Sequence, residues 1–83
     1  NSVVPRKVGV PVLIAQGSAD LIVSPAVTRS FVTALCRAGQ PVRFLEVTGG
    51  DHVTIAKRTA DTTIDWFGDR FAGRAAPDDC SRL

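Results

Sequence analysis

The chain has 83 residues, with ten Lys or Arg against eight Asp or Glu and a net charge of +2. Its basic residues are scattered without interleaved aromatics, which excludes a nucleic-acid stripe. Pro11, Gln16 and Asp20 break the longest apolar stretches, which excludes a membrane-spanning helix.

A chain of this length holds one domain or less and buries only roughly 60–65% of its unfolded surface. With Asn1 first and no methionine, it reads as a segment of a longer protein or as a mature product whose leader was removed. Residues 8–15 are rich in Val, Ile and Leu, which suits a strand buried on both faces. Pro11 belongs near its start, where a missing N–H donor is tolerated. Residues 17–23 follow as a loop. A helix starts at Ser24-Pro25, with serine as N-cap and proline at the first helical position. Val27, Phe31, Leu35 and Ala38 give it one apolar face, Gly39 terminates it and Pro41 prevents its resumption.

Residues 42–47 form a second strand, made more polar by Arg43 and Glu46 and therefore nearer the sheet edge. Thr48-Gly49-Gly50-Asp51 is a turn. A second helix begins after His52, with room for a break near Lys57 or Arg58. Ala60, Ile64, Phe67 and Phe71 make its inward stripe, Trp66 lies on the flank and Gly73 closes it. Residues 74–83 are a polar tail with Pro77, ordered only if Cys80 is tied down. The order predicts an α/β fold of β-α-β-α type, with parallel strands joined by a right-handed crossover. Residues 10–73 are its structured core. Two parallel strands leave open edges and an uncovered face, so the pattern reads as part of a larger sheet.

Cys36, on the first helix, and Cys80, in the tail, are not at metal-ligand spacing and form no Cys-x-x-Cys. Either they pair and tie the tail to the body, or one is a buried thiol and the other exposed. An exposed tail thiol is a liability, which favours pairing. Pairing points to an oxidising location, secreted or in the cell envelope.

Each strand runs into glycine and then into a group suited to proton chemistry: Gly17-Ser18-Ala19-Asp20 and Gly49-Gly50-Asp51-His52. In a parallel sheet both groups emerge at one edge, where α/β proteins place their sites. Asp20 suits a carboxylate that holds an imidazole, and equally a turn. His52, the only histidine, follows directly on a strand and turn, which favours a base. Asp51 is a turn residue or a nearby anion. A metal held by Asp20, Asp51 and His52 fits no recurrent spacing. Ser18 and Ser24 lie outside any Gly-x-Ser-x-Gly, so neither is a nucleophile. No Gly-x-Gly-x-x-Gly follows a strand, which disfavours a dinucleotide-binding half.

The run Pro11-Val12-Leu13-Ile14-Ala15-Gln16-Gly17-Ser18-Ala19-Asp20, then Pro25, then Gly49-Gly50-Asp51-His52, resembles the C-terminal quarter of an α/β-hydrolase. The triad of that fold runs Ser, Asp, His in chain order. More narrowly, Leu35-Cys36, Ala38-Gly39 and the segment from Asp65-Trp66-Phe67-Gly68 to Cys80 resemble the secretory lipase family of actinobacteria and fungi. The resemblance spans Val10 to Cys80. It implies that Asp20 is the acid and His52 the base of a serine lipase or carboxylesterase acting on ester or lipid, with no cofactor and no metal. The serine, its elbow and the oxyanion loop then lie upstream. The chain alone is inactive and needs the remainder of the hydrolase domain as its partner. Ile22, Val23, Val53 and Ile55 flank the two loops, where they touch substrate or pack against neighbouring loops. A serine peptidase or an acyltransferase would use the same Asp and His. A small non-enzymatic α/β binding module is the reading of a different class.

Overall fold

The computed structural model describes residues 9–83. Its elements run in the order β1 (Val12–Gly17), α1 (Pro25–Arg37), β2 (Val42–Val47), α2 (Ile55–Phe71) and a short 3-10 turn, Cys80–Arg82. The strands are parallel, in register from Val12 opposite Val42 to Gly17 opposite Val47. The first strand begins later than residues 8–15 suggest, and Val8 lies outside the described residues. Pro11 has no N–H to give a ladder, and pairing starts just past it and past Pro41.

One sheet face carries Val12, Ile14, Val42 and Phe44, and α1 packs on it through Val32 and Leu35, with Phe31 and Cys36 beside them. This shifts the expected apolar face of α1. Val27 and Ala38 are exposed, because the helix turns its Val32–Leu35 side onto Phe44. Ser24 stands at the N-cap position with extended backbone, but its side chain makes no capping bond. Both helices end in the same device. Gly39 and Gly73 adopt positive φ, and the two residues that follow each C-cap donate back to the last turn: Gly39 to Cys36 and Gln40 to Leu35, Gly73 to Arg70 and Arg74 to Asp69.

The second helix runs unbroken through Lys57 and Arg58. Its expected inward stripe is not inward. Ile64, Phe67 and Phe71 are 66%, 52% and 90% exposed, and Ala60 is exposed as well. Thr59 is buried, and Ile55, Thr63, Trp66 and Arg70 are half-buried. Two strands about 5 Å apart make a floor narrower than a helix, so only one side of α2 finds cover.

The tail is part of the structure. Cys80 is joined to Cys36 on α1 by a disulfide closing a separation of 44 residues. Asp79 donates its N–H to the Val42 carbonyl and accepts from the Phe44 N–H through Oδ2, so the tail covers the edge of β2 that faces away from β1. Arg43 and Arg82 both reach the Asp79 carboxylate. In the chain-entropy model such a cross-link contributes at most about 4 kcal/mol. That is comparable with burying one or two of the four core side chains, at roughly 1.5–3 kcal/mol each.

Candidate active site

Asp20 lies three residues past the end of β1 and His52 five past the end of β2. The parallel register brings both loops to the same end of the sheet. The loops are laced together. Ser18 and Ala19 donate their N–H groups to the carbonyls of Val47 and Gly50, at 3.0 and 2.9 Å. The Gly49 N–H donates to Ser18 Oγ at 2.7 Å. Ser18 thereby ties the acid loop to the Gly49-Gly50 turn.

Asp20 is buried, and both of its oxygens are engaged. Oδ1 accepts the N–H groups of Ile22 and Val23, each at 2.8 Å. Oδ2 lies 3.1 Å from His52 Nδ1. The Val23 N–H bond holds the Asp20 carboxyl below the ordinary aspartate range. Burial opposes this, while the Ile22 N–H and His52 reinforce it. A carboxylate acceptor on Nδ1 sets the neutral ring with its proton there, which leaves Nε2 as the acceptor. The His52 side chain is 46% exposed, so Nε2 has access to whatever occupies the adjoining space.

Asp51 does something else. Its Oδ1 accepts the N–H and the hydroxyl of Thr54, both at 2.8 Å, and its carbonyl accepts the Ile55 N–H. The Thr54 hydroxyl and then its N–H lower the Asp51 pKa. It shapes the turn that starts α2 and is directed to Thr54. Among the described residues no group of three or more His, Cys, Asp or Glu is placed to hold a metal ion.

Aliphatic residues flank the pair along the chain. Leu21, Ile22 and Val53 are exposed, Val23 is marginally so, and Ile55 is half-buried at the start of α2.

The secretory lipase family model matches residues 1–79. This chain belongs to the secretory lipase family. No curated protein and no solved structure gives a significant match. For a member of a secretory family, a disulfide between Cys36 and Cys80 is in keeping with an oxidising destination. Among the described residues no helix is long and apolar enough to cross a membrane.

Two features of this family member escape a reading of residues alone. Gln16 is buried beneath the acid loop, and its one signal in the sequence is that it is polar in an apolar strand. Asp79 is buried against β2, and nothing in a Pro-Asp-Asp-Cys tail distinguishes it from its neighbour Asp78.

Proposed function

We propose that this chain supplies the acid and the base of a serine-hydrolase triad, in a secreted lipase or carboxylesterase whose nucleophile lies upstream of it. The observation that carries the reading is the buried Asp20, fixed by two backbone N–H groups and directed at Nδ1 of a half-exposed His52. Membership of the secretory lipase family supports ester or lipid as the substrate class. On this reading residues 10–73 are the core and residues 74–83 the tail of the C-terminal part of one hydrolase domain.

The serine hydroxyl attacks the ester carbonyl and His52 Nε2 takes its proton. The same nitrogen then gives that proton to the departing alkoxide. In the second half, His52 takes a proton from water as it attacks the acyl-enzyme, and the serine leaves with that proton. Asp20 stays ionised throughout and stabilises the imidazolium across the 3.1 Å contact. Its lowered pKa keeps it charged to more acidic pH than an ordinary aspartate. Leu21, Ile22 and Val53 are the aliphatic surface that an acyl chain would meet on this side of the site.

In the whole protein, His52→Ala is expected to lower ester turnover by several orders of magnitude. Near-parental turnover by that variant would exclude the assigned role. Comparing ester with peptide substrates separates a lipase or esterase from a peptidase of the same fold.

A further inference from the structure

We propose that Gln16 is a positioning residue for Asp20, holding the acid loop so that the carboxylate meets His52. The inference rests on the triad reading above. Gln16 is 4% exposed and stands at the penultimate position of β1. Its side-chain amide donates to the carbonyls of Gly17 and Val23, at 3.0 and 3.1 Å. Its side-chain oxygen accepts the Thr28 hydroxyl at 2.6 Å. One side chain thereby binds both ends of the loop that carries Asp20 and ties them to the first turn of α1.

Val23 is the link. Its carbonyl is held by Gln16, and its N–H donates to Asp20 Oδ1 at 2.8 Å. A continuous path of hydrogen bonds runs from Thr28 through Gln16, Val23 and Asp20 to His52. The chemistry of the site requires an amide. Two carbonyls call for two N–H donors and the hydroxyl calls for an acceptor, and a glutamine side chain offers all three. A glutamate would set a carboxylate against two carbonyl oxygens. A leucine or methionine would remove this donor from both, leaving the Gly17 carbonyl with only the longer bond from the Asp20 N–H, at 3.3 Å.

Misplacing a reacting group by about 1 Å costs as much as a hundredfold in rate. In the whole protein, Gln16→Met is expected to lower kcat for ester hydrolysis by about tenfold to a hundredfold with KM unchanged. Added to Asp20→Ala, the same substitution is expected to cost nothing further, because the loop then has no carboxylate to place. Where Gln16→Met fails to fold, Thr28→Val removes only the hydroxyl that orients the amide, and a smaller loss of the same kind is expected. An unchanged kcat in the folded variant, or a loss that adds in full to that of Asp20→Ala, would overturn the inference while leaving the triad standing. Parental turnover by Asp20→Ala alone would sink the triad reading and this inference with it.

Discussion

At Gly17 the absence of a side chain decides how close the two loops come. A Cβ placed there would lie 2.0 Å from the Gly50 carbonyl oxygen and 2.4 Å from its carbon. Those are backbone atoms, so no rotamer relieves the overlap. The same Gly50 oxygen accepts the Ala19 N–H, one residue before Asp20. The close approach and the acid–base contact are therefore one piece of geometry. Gly17→Ala should force the loops apart and destabilise the protein by about 1–3 kcal/mol or more. Gly68 is the internal control, since a Cβ there meets nothing within 4 Å and the position lies inside α2. Gly68→Ala should be neutral or stabilising by about 0.5–1 kcal/mol. Urea unfolding of the two variants checks this, and equal midpoints would contradict it.

At the scale of elements, the tail acts as a clasp on β2. Burial disfavours the Asp79 charge, but the Phe44 N–H, then Arg82 and Arg43, outweigh it and bring its pKa from 3.8 to about 2. Between those values the folded state binds fewer protons than the unfolded one. The clasp therefore contributes its full stability above about pH 4 and loses it as pH falls toward about 2. Asp79→Asn should be less stable than the parent at pH 6, and the gap should narrow through that window. Thermal unfolding across the pH range measures the gap, and a constant difference would refute the assignment.

Much at this scale is legible in the residues. The strand at Val42–Val47, the proline-led start of α1 and the glycine stops at Gly39 and Gly73 all follow from local chemistry. The placement of Asp20 and His52 together follows from parallel strands of matched register. The facing of α2 does not follow. A periodic apolar stripe says that a helix has an apolar side, not that this chain contains the surface to cover it. Gln16 and Asp79 are hidden for a related reason, since a polar residue becomes structural only through partners far along the chain, Thr28 and Phe44.

At the scale of the whole molecule, two sets of exposed apolar side chains among the described residues bear on what surrounds this chain. Ile64, Phe67 and Phe71 line one side of α2. Leu21 and Ile22 directly follow Asp20 and Val53 directly follows His52, and all three are exposed. Exposed apolar stripes mark surfaces that meet something else. The sheet itself is asymmetric: β2 has its outer edge covered by Asp79, whereas among the described residues β1 pairs with β2 alone. Growth of the sheet on the β1 side, bringing the nucleophile to the Asp20–His52 end, is what the proposed hydrolase domain requires. Labelling the whole protein with a fluorophosphonate, and locating the modified residue by mass, tests this most directly. A labelled serine upstream of this chain is expected, with labelling abolished in His52→Ala. Labelling at the parental rate in that variant, or on Ser18 or Ser24, would contradict it.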